Sequence, residues 1–184
     1  PGIVYCGAYG FPADGPCGDK PASEALLQGL SGVASLIGSI SGEPRYAPTI
    51  MADKTVGLTL AYALMAALFH RLRTGEGQQV EVPMFETMVS FLLIEHLWQR
   101  TTDPEHGKLG YARLMAPARK PYPTADGYIC AVPYTDRHWR DFFALAGRPE
   151  LAQDPRFRTV SDRTRNIVAL YDLLAGLMPA RTTA

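Results

Sequence analysis

The sequence has little cysteine and no excess charge of either sign. Its three cysteines, Cys6, Cys17 and Cys130, lie far apart and form no C-x-x-C pair. This excludes a disulfide framework and a zinc site of the usual spacing, and it predicts a reducing, cytoplasmic compartment. The 18 basic and 18 acidic side chains cancel. Because no basic excess remains to neutralise phosphates, we expect no nucleic-acid partner.

Long apolar runs are also scarce. The most apolar stretch, residues 56–72, is roughly 17 residues long and is interrupted by Gly57, Thr59 and Tyr62. It therefore predicts a buried core helix from about Lys54 to Arg73, and no membrane partner. At 47% hydrophobic and 20% charged residues, the composition is that of a globular protein and excludes a disordered or collagen-like chain.

Several catalytic motifs are missing. The sequence contains no G-x-S-x-G, no P-loop, no H-E-x-x-H and no G-x-G-x-x-G, which removes support for the corresponding hydrolases, nucleotide-binding proteins and metalloproteases. The four histidines are isolated, and His70 and His96 lie on predicted helices without a ligand-type partner three or four residues further on. We therefore expect no metal site.

The first half of the chain alternates between strands and helices. The patterns predict a strand over 3–8, a Gly/Pro-rich loop over 10–19, a helix that begins at Pro21, the apolar helix, a strand over 78–82 and a helix over 83–99. Gly29 and Gly32 interrupt the first of these helices, which suggests close approach of another backbone or a ligand. The chain opens at Pro1 without a methionine and stops soon after Pro179, so we expect a piece of a longer protein.

The second half has a different pattern. Residues 101–118 are polar and predict a linker, and Ala125-Asp126-Gly127 predicts a hairpin turn. Thr135 is expected to cap a helix that ends at Gly147, and a last helix carries apolar residues between Ile167 and Leu177. The predicted domains are residues 1–100, the linker 101–118 and residues 119–184.

Asp53 is the most informative carboxylate because it stands at the start of the most apolar helix. Two interpretations are compatible. An aspartate at this position can cap the helix by accepting hydrogen bonds from first-turn amides. The same donors would keep the carboxylate ionised in apolar surroundings, where it could act as a nucleophile toward an activated acyl group.

An ordered set of motifs along nearly the whole chain resembles the class III CoA-transferase (CaiB/BaiF) family. The motifs are Tyr9-Gly10-Phe11, Asp14-Gly15-Pro16, Asp19-Lys20-Pro21-Ala22, Gln28-Gly29-Leu30-Ser31-Gly32, Ala52-Asp53-Lys54-Thr55-Val56-Gly57-Leu58, the run from His70 to Val82, and Thr124-Ala125-Asp126-Gly127-Tyr128-Ile129. The strongest part is an R-x-R-T-G-x-G-Q strand that follows an A-D-x-x-x-G helix. The resemblance implies a helix-rich, mixed α/β fold, namely the central part of a two-domain interlocked fold. In that case residues 1–100 belong to the large domain and 119–184 to the small one.

The resemblance also implies the chemistry. Asp53 would attack an acyl-CoA thioester and pass through a mixed anhydride to an aspartyl-CoA thioester, which a small carboxylic acid resolves. Glu24 would assist, and the segment Lys20, Pro21, Ala22, Ser23 and Glu24 would contact CoA, with Lys20 near a phosphate or carboxylate. CoA is then a substrate, no cofactor is permanently bound, the protein is an interlocked homodimer, and this part alone is inactive.

Two alternatives stay open. The racemase branch of the family carries a histidine where this sequence has Ser23, and α-proton exchange needs two groups that trade a proton, so Ser23 argues against a 2-methylacyl-CoA racemase or isomerase. The other alternative is a non-catalytic helical dimerisation module. The flexible glycine run that closes over the site in formyl-CoA transferase has no match in 101–121, so the substrate acids cannot be inferred.

Overall fold

The computed structural model describes residues 2–183 and shows the mixed, helix-rich α/β fold that was predicted. The elements are β1 (Tyr5–Tyr9), α1 (Glu24–Ser31), α2 (Val33–Ser41), α3 (Met51–Thr74), β2 (Gln79–Pro83), α4 (Met84–His96), β3 (Tyr122–Pro123), β4 (Tyr128–Ile129), α5 (Asp136–Leu145), α6 (Val160–Arg165) and α7 (Ile167–Leu177), with short 3₁₀ helices at Trp98–Thr101 and Pro149–Gln153. The chain divides into two compact units between Leu109 and Gly110. This point lies inside the predicted linker, whereas the assignment of the units to a large and a small domain stays a prediction.

The first unit is built around a parallel strand pair. Strands β1 and β2 pair in register from Tyr5 opposite Gln79 to Tyr9 opposite Pro83. Parallel strands need a long crossover connection, and here α1, α2 and α3 supply it. A small core under these helices has four buried members: Leu27, Val33, Ala52 and Met88. Because Ala52 belongs to this core, the start of α3 is packed against α1 and α4.

The second unit has its own core and the predicted hairpin. Strands β3 and β4 are antiparallel, with Tyr122 opposite Ile129. The side chain of Thr135 caps α5 by accepting a hydrogen bond from the His138 N–H, as predicted. The predicted last helix is α7, and a further short helix, α6, precedes it and meets it at Asn166. Aromatic and aliphatic side chains from α5, α7, the hairpin and the segment before α6 fill the core, including Tyr122, Phe143, Phe157 and Leu174.

The first predicted helix begins later than expected and is two helices. Helix α1 begins at Glu24 with Ser23 as its N-cap, so Pro21 lies outside the helix and is not its first residue. Gly32 separates α1 from α2 because its φ of 99° is in the left-handed region, which glycine adopts without a steric penalty. A Cβ on Gly29 would meet nothing within 4 Å in the described residues. The expected close approach at Gly29 is therefore not seen within them.

Helix α3 is longer and more exposed than the predicted core helix. Its buried residues are Ala52, Val56 and Ala67, whereas Leu58, Met65 and Leu72 are exposed. By length and composition it could cross a membrane, and only 11% of its most apolar window is buried within the described residues. The expectation of a buried core helix is wrong for this part of the chain. The apolar sequence pattern predicts that the surface of the helix is buried in a protein interface, but it does not predict which segment packs against it.

The turn after α3 explains two glycines of the T-G-x-G motif. Gly75 ends α3 with a φ of 78°, and its N–H donates to the Arg71 carbonyl. Gly77 is needed for a different reason, since a Cβ there would lie 1.9 Å from the Ile3 carbonyl oxygen. The backbones of this turn and of the segment entering β1 touch directly, which fixes α3 relative to the strand pair.

Replacing Gly77 by alanine is therefore expected to destabilise the full-length protein. The clash is with backbone rather than with a flexible side chain, so relief requires the chain to shift, at a cost of about 1–3 kcal/mol. The matched control is Gly176→Ala in α7, where a Cβ meets nothing within 4 Å among residues 2–183 and we expect no loss. Urea unfolding of both variants measures the difference. Equal urea midpoints for the two variants would show that a methyl group at position 77 does not strain the backbone.

Candidate active site

The structure brings together the two residues predicted to be catalytic. Glu24 opens α1 and Asp53 lies in the first turn of α3, so 29 positions separate them in sequence. The Asp53 N–H donates to Oε2 of Glu24 at 2.9 Å, and the Ala52 N–H donates to Oε1 at 3.1 Å. One carboxylate thus receives two backbone donors from the start of another helix. This positions the backbone of Asp53 and not its carboxylate.

Every N–H of the first turn of α3 has an acceptor. A helix begins with four N–H groups that lack an intrahelical partner, and Ile50 provides no side-chain cap. The Met51 N–H donates to the Thr49 carbonyl at 2.8 Å and the Lys54 N–H to the Ile50 carbonyl at 3.2 Å. Glu24 accepts the two between them. Glu24 therefore caps α3 from a distance of 29 residues in sequence.

This arrangement corrects one interpretation of Asp53. The helix begins at Met51, so Asp53 lies inside its first turn and is not the N-cap. The amide donors expected to hold the aspartate carboxylate ionised go to Glu24 instead. The Asp53 side chain is exposed, and no residue between 2 and 183 donates a hydrogen bond to its carboxylate or pairs with it.

The charge of Glu24 follows from its surroundings. Partial burial raises the pKa of its carboxyl, but hydrogen bonds from the Asp53 N–H, the Gln28 side chain and the Ala52 N–H outweigh this effect. The pKa of Glu24 therefore lies below its ordinary value, and the group is a carboxylate at neutral pH. An anion at the N-terminus of α3 also opposes the positive end of the helix dipole, which stabilises the helix.

Gln28 holds Glu24 in place, a role that the sequence motifs do not indicate. Its side chain is 2% exposed, and its Nε2 donates to Oε1 of Glu24 at 2.7 Å. The same amide group bonds to the segment before α3: Nε2 donates to the Thr49 carbonyl at 3.2 Å, and Oε1 accepts from the Ala47 N–H at 2.8 Å. The spacing of Glu24 and Gln28 by four on one helix was the only sequence signal for this contact.

The other predicted CoA contacts surround the start of α1. Lys20, Pro21, Ala22 and Ser23 are exposed. Ser23 accepts the Leu26 N–H at 3.5 Å as the N-cap of α1. Ala22 packs so closely against Gly10 that a Cβ on that glycine would lie 2.1 Å from the alanine Cβ.

A cavity of about 440 Å³ adjoins this segment. Its lining is mostly apolar and includes Lys20 and Pro21, with Phe11, Cys17, Leu26 and Phe85. Neither Glu24 nor Asp53 lines it. The structure therefore brings Glu24 and Asp53 into contact and places Lys20 and Pro21 on a neighbouring surface.

Comparison with known proteins assigns the chain to a family. The model of CoA-transferase family III matches residues 1–184, and the chain belongs to this family. A probable fatty acyl-CoA transferase of Mycobacterium tuberculosis is 30% identical over 99% of this chain and 49% of its own length. A succinate–glutarate CoA-transferase of Agrobacterium fabrum is 29% identical over 95% of this chain and 44% of its own length.

Solved structures show the same fold. The crystal structure of a CaiB/BaiF family protein from Brucella suis has a TM-score of 0.71 and 28% identity, covering 99% of this chain and 48% of that chain. The orthorhombic crystal form of the M. tuberculosis protein has a TM-score of 0.77 and 27% identity, covering 97% and 46%. The chain thus spans about half the length of the relatives it matches, and the recognition of the family from its motifs is confirmed.

Proposed function

We propose that the whole protein is an acyl-CoA:carboxylate CoA-transferase in which Asp53 is the nucleophile. The observation that carries this proposal is the contact between the first turn of α3 and Glu24, which fixes the Asp53 backbone while its carboxylate stays exposed. A nucleophile needs this combination, because catalysis gains from a fixed position and from unblocked oxygens. The relatives named as CoA-transferases support the reaction class.

The proposed reaction exchanges acyl partners without a net proton transfer. A carboxylate oxygen of Asp53 attacks the thioester carbon of the donor, the C–S bond breaks, and the products are a mixed anhydride and the CoA thiolate. The thiolate attacks the aspartyl carbon, the anhydride C–O bond breaks, and the donor acid leaves. The acceptor carboxylate then repeats the two steps in the opposite sense, which regenerates Asp53 and yields the new acyl-CoA.

CoA and an acyl-CoA are substrates in this scheme, with a small carboxylic acid as the second substrate. We propose that Lys20, Pro21, Ala22 and Ser23 contact CoA, since they form an exposed segment that leads directly into Glu24. Lys20 supplies a positive charge at the edge of the apolar cavity, which suits a phosphate or carboxylate. Residues outside this chain complete the site, so this part alone is expected to be inactive.

Trapping the covalent intermediate tests the proposal. The full-length protein incubated with a panel of acyl-CoA donors without acceptor is expected to carry CoA on the peptide that contains Asp53, as detected by mass spectrometry. Hydroxylamine should convert the thioester to a hydroxamate on the same residue, because it attacks activated acyl groups. Transfer of CoA without an adduct, or an adduct on another carboxylate, would show that Asp53 is not the nucleophile.

The alternatives make different predictions. A racemase incorporates solvent deuterium at the α-carbon of a 2-methylacyl-CoA, whereas the proposed transferase does not. Ser23 makes this activity unfavourable, since its hydroxyl caps α1 and is too weak a base to trade a proton at neutral pH. A non-catalytic dimerisation module would bind no CoA in calorimetry. We also propose that the whole protein is a homodimer, which the exposed apolar residues of α3 support. Sedimentation of the full-length protein tests this. The cytoplasmic location is a separate proposal, which fractionation of cells tests.

A further inference from the structure

We propose that Gln28 is a positioning residue that sets the place of Asp53 through Glu24. This inference rests on the proposed function of Asp53 and adds a residue that contacts neither substrate nor the nucleophile. A single buried amide on α1 contacts the carboxylate of Glu24, on the same helix, and the 43–50 segment that leads into α3. Gln28 therefore supports the first turn of α3 in two ways, through the Glu24 carboxylate and through the backbone that precedes the helix.

The first support is the orientation of Glu24. A glutamate side chain has three rotatable bonds, and each hydrogen bond to its carboxylate reduces the number of arrangements that it can adopt. The 2.7 Å bond from Nε2 of Gln28 to Oε1 is the third such bond, after those from the Ala52 and Asp53 N–H groups. Hydrogen bonds to a carboxylate are about twice as strong as those between neutral groups, so the contact is an effective restraint.

The second support is the segment entering α3. Gln28 accepts from the Ala47 N–H at 2.8 Å and donates to the Thr49 carbonyl at 3.2 Å. The Thr49 carbonyl also accepts the first N–H of α3, from Met51. The amide thus restrains the helix start through both its cap and its preceding backbone. Packing alone does not explain the residue, since an apolar side chain of similar size would fill the space without these bonds.

Gln28→Glu in the full-length protein separates positioning from packing. The introduced carboxyl is nearly isosteric, but in its ionised form it cannot donate to Glu24 and would repel it. We expect kcat to fall about 10- to 100-fold at neutral pH, the size of a misplacement of about 1 Å, with KM little changed. As the pH falls, the introduced carboxyl takes up a proton and can donate again, so kcat should recover relative to wild type. Gln99→Glu is the matched control because this exposed glutamine lies outside the site.

Amide hydrogen exchange of the peptide spanning residues 50–56 provides a readout that does not depend on activity. We expect exchange at this peptide to quicken in Gln28→Glu and in Gln28→Leu, and to stay unchanged in the Gln99 control. If exchange and the pH profile of kcat match wild type, the inference is wrong. If the variants only melt earlier while kcat is retained, the role of Gln28 is packing. A wild-type protein that transfers CoA without an adduct on Asp53 would overturn the proposed function alone, since the exchange result tests the position of the helix by itself.

Discussion

Replacing Asp53 by alanine in the full-length protein is expected to lower CoA transfer by at least about 1,000-fold, because removal of a covalent nucleophile leaves only substrate binding. Asp53→Asn should do the same, since an amide is too weak a nucleophile to open the thioester. Neither change should unfold the protein. The hydrogen bond to Glu24 comes from the Asp53 backbone N–H, which both variants keep.

The measurements are initial rates with a donor and an acceptor acid, together with the thermal midpoint. Asp172→Asn is a suitable control because it removes an exposed carboxylate on α7, in the other unit of the chain. Full activity in Asp53→Ala would refute the nucleophile assignment. Loss of activity together with loss of folded protein would instead assign Asp53 a structural part, contrary to its exposure.

Replacing Glu24 should lower both stability and activity. Glu24→Ala leaves the N–H groups of Ala52 and Asp53 without their acceptor, and loss of a helix cap costs about 1–2 kcal/mol. Because the Asp53 backbone is then free to shift, we expect transfer to fall by about 100-fold. Glu24→Gln keeps one oxygen acceptor but loses the negative charge, so its losses should be intermediate.

The pH dependence of stability identifies the Glu24 contribution. The pKa of Glu24 is lowered in the folded protein, so its contribution is complete above the ordinary carboxyl pKa of about 4.3 and is lost as the pH falls through the lower folded value. Urea unfolding should therefore show wild type more stable than Glu24→Gln at pH 7, with the difference shrinking toward about pH 3. A difference that stays constant with pH would mean that the Glu24 charge does not stabilise the fold.

Local sequence patterns predicted the elements well where one rule decides the outcome. The hairpin turn at 125–127 and the Thr135 cap are set by residues next to one another, and both predictions are confirmed. The predicted start of α1 was wrong because Pro21 and Ser23 are both common at helix starts. The hydrogen bond from the Leu26 N–H to Ser23 shows that Ser23 is the N-cap. The site needed tertiary information. A glutamate that caps a helix beginning 27 residues later cannot be found from periodicity.

The motifs identified the family, and the contact of Glu24 with the Asp53 backbone gives the second predicted residue a physical task. The sequence could not show that Gln28 supports this contact, because its two loop partners are backbone atoms of Ala47 and Thr49. Nearly every residue type has the same backbone N–H and C=O groups, so the residue types at these positions do not predict the contacts. The roles of Lys20, Pro21, Ala22 and Ser23 stay predictions for a different reason, since the CoA groups that they would contact are not part of this chain.

The saturated first turn of α3 has a consequence for acid selectivity. The start of a helix commonly serves as a ready-made receptor for anions, yet here the protein uses all four N–H groups itself. An incoming acid finds no vacant backbone N–H in this turn, and the Glu24 anion there repels it. We therefore expect side chains and groups on other parts of the protein to discriminate between acceptor acids. Redesign of acceptor choice should leave the start of α3 untouched and alter those surrounding groups.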